Sequence, residues 1–121
     1  LEVNLHPDFR ERQLPWVPTK DFRALVSQTW QDYSFAPPGG ESSVECQARV
    51  RRAVEEVGRR DARKTLLVAS HGNAIALYIN SIDSAFGYDD WATMRNPDVF
   101  RVLIQDGKHF WDKGWKFPPS A

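Results

Sequence analysis

The uncharged run Thr65-Leu66-Leu67-Val68-Ala69 ends at Ser70-His71-Gly72-Asn73, and an apolar helical stretch follows from about Ala74 to Asn80. A histidine at the tip of a buried strand, followed by glycine and a helix N-terminus, suits an anion. The first turn of a helix leaves backbone N–H groups unpaired, and its dipole is positive at that end. Gly72 would let a ligand approach the backbone closely. An imidazolium adds a charge-assisted donor, and a free imidazole titrates near pH ~6.5. Such a turn could hold a phosphoryl group and stabilise charge developing on its oxygens. The same residues could instead form an ordinary turn in which His71 bonds a neighbouring carbonyl. A second cluster, Arg10-Glu11-Arg12, sets a carboxylate between two cations. Either arginine could meet a substrate anion or stay solvated.

The elements that must position these residues follow from periodicity and turn chemistry. Leu1 to Leu5 alternates like a strand, and His6-Pro7-Asp8 is a turn. Thr19 can cap a helix with Phe22, Leu25, Val26, Thr29 and Trp30 at helical spacing. Ala36 to Gly40 breaks the chain. Ser42-Ser43-Val44-Glu45 has the form of a capping box, and its helix should bury Val44, Ala48, Val54 and Val57. Glu55 with Arg59 and Glu56 with Arg60 should pair along it. Thr65–Ala69 reads as a central strand covered on both faces. Asp89 or Asp90 can cap a short helix reaching Met94. Val99–Ile104, Asp106-Gly107 and His109–Trp111 read as strand, tight turn and strand, and Phe117–Ser120 as a tail. Helix, buried strand, helix and hairpin predict one α/β domain over residues 1–121, with ligands gathering at strand carboxyl ends.

Three segments carry a family resemblance, in order. Leu66-Leu67-Val68-Ala69-Ser70-His71-Gly72-Asn73 resembles the second histidine motif of the histidine phosphatase superfamily, the phosphoglycerate-mutase-like enzymes. Phe9-Arg10-Glu11-Arg12 is similar to its Leu-x-Glu-Arg segment, and Pro38-Gly39-Gly40-Glu41-Ser42 to its Pro-Gly-Gly-Glu-Ser segment; Asn96-Pro97 fits as well. The resemblance implies a three-layer α/β sandwich with a mostly parallel central sheet. It implies that His71 binds the transferring phosphoryl oxygens and that Glu11 is the general acid/base. The backbone at Gly72 and Asn73 would cradle phosphate, with Arg12, Glu41 and Ser42 at the binding rim. The family's nucleophile lies in an Arg-His-Gly motif, and this sequence has none. His6 and His109 are not followed by glycine and are expected in surface or packing roles.

The expected activity is hydrolysis of phosphate monoesters through a phosphohistidine, with the nucleophile supplied from outside this chain. The alternatives are a non-catalytic fragment or pseudoenzyme that binds phosphate or a protein partner, and a phosphoglycerate mutase. Only 27 residues separate Glu11 from Gly39. The mutases of the family carry long insertions there, so the spacing favours a compact phosphatase. The only methionine is Met94, and the opening suggests a fragment whose N-terminal part is missing.

Sixteen basic and sixteen acidic residues balance, which argues against a nucleic-acid partner. Arg49, Arg51, Arg52, Arg59, Arg60 and Arg63 interleave with acids and are expected on a solvated face. The lone Cys46 cannot form an internal disulfide, so a reducing, cytoplasmic setting is expected, with Cys46 as a buried apolar residue. No apolar run nears the ~18 residues that would span a bilayer. No Cys/His cluster has metal-ligand spacing, and no metal or other cofactor is expected. Five tryptophans supply core or interface mass, and Trp16 could line the pocket. The expected partner is a small phosphorylated substrate, with no membrane and homo-oligomerisation left open.

Overall fold

A computed structural model describes residues 2–118 of the chain. A single 3-10 turn, Pro7–Phe9, opens it, capped by the His6 ring, which accepts from the Asp8 N–H at 3.2 Å. Residues 2–5, expected as a strand, carry no regular structure and are exposed; Leu1 lies outside the described residues. Helix α1 spans Thr19–Gln31 and buries Val26 and Thr29. Its cap is Pro18, which offers no side-chain hydrogen bond, so Thr19 is the first helical residue and not the cap.

Helix α2, Ser43–Arg60, starts from the predicted capping box. Ser42 Oγ accepts from the Glu45 N–H at 3.1 Å, while Glu45 Oε1 accepts from the Ser42 N–H at 3.3 Å. Two donors that the helix would otherwise leave unpaired are thereby satisfied. The buried stripe differs from the expected one. Cys46, Val50, Ala53 and Val57 turn inward, whereas Val44 is 51% exposed and Ala48 is also exposed. Alternating steps of four and three from Cys46 form a continuous apolar line, and Val44 falls off it. The salt bridges shift likewise: Arg51 pairs with Glu55 at 3.4 Å and Arg60 with Asp61 at 3.0 Å, in place of the expected Glu55–Arg59 and Glu56–Arg60.

Helix α3, Gly72–Ile82, is the most apolar element and packs along α2. Ala74, Ala76, Leu77 and Ile79 are essentially inaccessible; a side chain like Leu77 contributes roughly 1.5–3 kcal/mol by leaving water. Polar ties fix the helices in register. Gln47 donates to the Leu77 carbonyl at 2.8 Å and to Asn80 Oδ1 at 2.9 Å, and Arg51 donates to Ser81 Oγ at 2.9 Å. The short helix α4, Tyr88–Ala92, is closed by Asp90 Oδ2, which accepts from the Gly87 N–H at 2.9 Å. Strands β1, Val102–Gln105, and β2, Lys108–Trp111, form the predicted hairpin, with Ile104 opposite His109. Asp106 and Gly107 take positive φ values of 54° and 75°. That is the backbone of a type I′ turn, whose twist matches the strands.

The expected mostly parallel sheet is not found among the described residues. The sheet among the described residues is this two-stranded antiparallel hairpin. Thr65–Ala69 is not assigned to a strand, and all five residues are exposed, Leu67 at 90%. A strand covered on both faces needs neighbours on its edges and layers above and below; no described strand lies beside this run. Of the expected tail, Phe117 and Pro118 are described, and Pro119 and Ser120 lie outside the described residues. No helix among the described residues is long and apolar enough to cross a membrane.

Candidate active site

Glu11 reaches 62 and 63 residues along the chain to the start of α3. Its Oε2 accepts from the Asn73 N–H at 3.2 Å, and its Oε1 from the Ala74 N–H at 3.0 Å and the Arg12 N–H at 2.8 Å. The anion on this helix N-terminus is therefore the chain's own carboxylate, placed where unpaired amides and the dipole favour negative charge. His71 is the N-cap residue, with extended backbone (φ −133°, ψ 163°). Its side chain makes no capping bond, so the ordinary-turn alternative, in which the ring bonds a neighbouring carbonyl, is not what the structure shows. The ring is exposed and meets no partner among the described residues. Ser70 Oγ donates to the Phe9 carbonyl at 2.8 Å, fastening this turn to the segment that carries Glu11. His71 and Glu11, separated by sixty residues of sequence, are thus brought to one helix end.

Two buried arginines hold the Glu11 segment from behind. Arg12 is 4% exposed; its Nε and Nη2 donate to the Glu41 carbonyl at 3.2 and 2.9 Å, and its Nη1 to Ser43 Oγ at 3.0 Å. Burial lowers its proton affinity, yet a guanidinium stays charged at any working pH. Arg49, also 4% exposed, grips both oxygens of Glu41 at 2.9 and 2.8 Å. Its Nη1 donates to the carbonyls of Asp8 and Arg10 at 2.8 and 3.0 Å. Burial alone would raise the Glu41 carboxyl, but hydrogen bonds from Arg49 and the Gln13 N–H outweigh it and leave that carboxyl below its ordinary range.

The remaining residues separate clearly. Arg12, Glu41 and Ser42 surround Glu11's loop with their polar atoms engaged inside the protein, Ser42 as the α2 cap. Gly72 and Asn73 open α3, and Asn73 is 4% exposed with its Oδ1 unpartnered. Trp16 is 87% exposed. His6 lies 3.2 Å from Glu56, while His109 is buried with Nδ1 2.7 Å from the Tyr78 hydroxyl. Cys46 is fully buried and its thiol is pushed up to about 12 by desolvation, which makes it a poor nucleophile. Arg49 was expected on a solvated face and is instead the hub of the site's scaffold. The available signal was its place on the Cys46–Val50–Ala53 face, where a charge cannot stand without partners.

A cavity of about 450 Å³ lined by Trp30, Tyr33, Asn80, Tyr88, Asp89 and Asp90 has none of residues 70–73 in its wall, and its two carboxylates suit a phosphate poorly. No group of three or more His, Cys, Asp or Glu side chains among the described residues is placed to hold a metal ion. A family model described as histidine phosphatase superfamily (branch 1) matches residues 1–113. No curated protein and no solved structure matches the chain.

Proposed function

Since the chain belongs to the histidine phosphatase superfamily (branch 1), we propose that it takes part in the hydrolysis of phosphate monoesters at the His71–Glu11 corner. The observation that carries this reading is the docking of the Glu11 carboxylate on the first-turn amides of the helix that His71 caps. A proton carrier and an imidazole without a partner among the described residues then stand at one helix end. His71 would donate to the phosphoryl oxygens and offset the charge they gain. Glu11 would pass a proton to the leaving oxygen as its bond to phosphorus breaks, and later take one from the attacking water. Its Oε2 is the freer oxygen, holding one bond at 3.2 Å against two shorter ones on Oε1. Gly72 and Asn73 would contribute the close backbone approach, and Arg12, Glu41 and Ser42 the rim behind it.

The covalent step needs a histidine that neither His6 nor His109 supplies, since both are engaged elsewhere. In this reading the nucleophile comes from an Arg-His-Gly segment outside the 121 residues. Its nitrogen bonds phosphorus as the ester oxygen departs, and water then displaces it. A strand leading to that segment would pair with Thr65–Ala69 and complete a mostly parallel sheet in a three-layer α/β sandwich. The 27 residues between Glu11 and Gly39 favour a phosphatase over a mutase.

The absent Arg-His-Gly favours a second reading, a protein that binds phosphate or a protein partner without catalysis. Hydrolysis of p-nitrophenyl phosphate by the protein with its upstream sequence separates the two. We expect turnover that falls by roughly 10²- to 10⁴-fold in His71→Ala and in Glu11→Gln. Near-normal activity in both variants would sink the assignment, and a silent parent protein would favour the second reading.

A further inference from the structure

Glu11 occupies the N–H groups of Asn73 and Ala74, so the α3 terminus keeps fewer donors for a ligand than a bare helix end would. Gly72 N–H remains, and the His71 ring stands beside it. A phosphate monoester presents three terminal oxygens, and one further donor is close at hand. Trp91 Nε1, from α4, lies 3.7 Å from the point where a Cβ on Gly72 would stand. Its N–H meets no acceptor among the described residues and, unlike that of Trp30, is not sealed from solvent. An indole N–H can only donate. At the same turn the carboxamide oxygen of Asn73, on a residue 4% exposed, has no hydrogen-bond partner.

The indole also belongs to an aromatic wall. Its ring centroid is 5.6 Å from Tyr88 and 6.2 Å from Phe22 of α1, both at tilted angles, and Phe22 is 37% exposed. A surface of this kind attracts a flat apolar group and offers little to a polyol, which needs hydrogen bonds along its length.

We propose that Trp91 is a specificity-determining residue of this site. Its N–H receives a phosphoryl oxygen beside Gly72 and His71, and its ring, with Phe22 and Tyr88, seats the esterified group. The substrate class is then aryl or similarly apolar phosphate monoesters, in preference to small hydroxylated ones. The proposal rests on the phosphate site inferred above and adds to it a donor and a choice of leaving group.

The test is a titration of the protein with inorganic phosphate, phenyl phosphate and glycerol 2-phosphate, followed by NMR of the Trp91 indole N–H and the His71 ring protons. Trp91→Phe assigns the indole signal. Inorganic phosphate should move both sets of signals, and phenyl phosphate should bind roughly 3- to 10-fold tighter than glycerol 2-phosphate. Trp91→Phe should weaken inorganic phosphate binding while keeping most of the aryl preference. Trp91→Ala should bring the two esters to near-equal affinity. If phosphate moves His71 and leaves the Trp91 indole in place, the assignment of Trp91 is wrong and the phosphate site stands. If saturating phosphate moves neither, both fail.

Discussion

At the scale of single residues, Arg49 is the most consequential side chain that does no proposed chemistry. A guanidinium withdrawn from water is tolerable only when its donors are met, and here they reach a carboxylate and two backbone carbonyls. Those carbonyls belong to Asp8 and Arg10, so the position of Glu11 depends on Arg49 through the chain itself. We expect Arg49→Ala to destabilise the fold by about 3–5 kcal/mol, because the mostly withdrawn Glu41 carboxylate would keep only the Gln13 N–H. Arg49→Lys should recover little of that loss, since an ammonium cannot reproduce the planar fork that spans both Glu41 oxygens. Denaturant unfolding of the three proteins measures both effects, and a lysine variant as stable as the parent would contradict the role assigned to the fork.

At the scale of elements, α2 starts from its capping box, and Glu55 in its second half approaches His109 of β2 at 3.3 Å. Replacing Ser42 with Ala removes the acceptor for the Glu45 N–H and should cost about 1 kcal/mol, read as a lower thermal midpoint. The Glu55–His109 contact should respond to pH. His109 is enclosed by Tyr78 from α3 and by Arg51 and Glu55 from α2. Its Nε2 is 3.3 Å from Glu55 Oε1 but lacks the alignment of a hydrogen bond. Desolvation, then Arg51, depresses its proton affinity below the ordinary value. The unfolded chain therefore takes up this proton first as pH falls. The stabilisation is complete above pH ~6.5 and is lost below it, down to the lower folded-state value. His109→Gln, which cannot titrate, should flatten the fall in thermal midpoint between pH 7 and pH 5. An unchanged slope would show that other groups set it.

At the scale of the whole molecule, the α2–α3 core is well enclosed and Thr65–Ala69 is not. Leu67 at 90% exposure, flanked by Leu66 and Val68 at 41% each, is an uncharged β-prone run on the surface. Unpaired runs of this kind recruit other strands, including copies of themselves. The protein should self-associate with rising concentration, and Leu67→Lys should suppress that without disturbing the core. Sedimentation velocity on both proteins checks it: equal association would place the sticky surface elsewhere. The histidine phosphatase assignment bears on the same segment, because Thr65–Ala69 leads directly into His71.

Local chemistry was legible in the residues themselves. The Ser42 capping box, the Asp106-Gly107 turn, the start of α3 near His71 and the break at Ala36–Gly40 each depend on atoms a few positions apart, and each was readable from the sequence. So was the family, whose short motifs carry their own spacing. What required the tertiary structure were the long-range partners. Val44 and Ala48 look as apolar as Cys46 and Val50, and the packing of α3 along α2 selects the line through Cys46 as the buried one. Arg49 looks like its solvated neighbours until the Glu41 and Asp8–Arg10 segments close around it. Thr65–Ala69 has the composition of a buried strand, but a strand is defined by its neighbour's N–H and C=O groups, and no described strand provides them. The docking of Glu11 on α3 spans 62 residues, and sequence periodicity says nothing about that distance. Sequence determines which local conformations and chemistries are available; the closing of distant segments on one another determined which of them meet at His71.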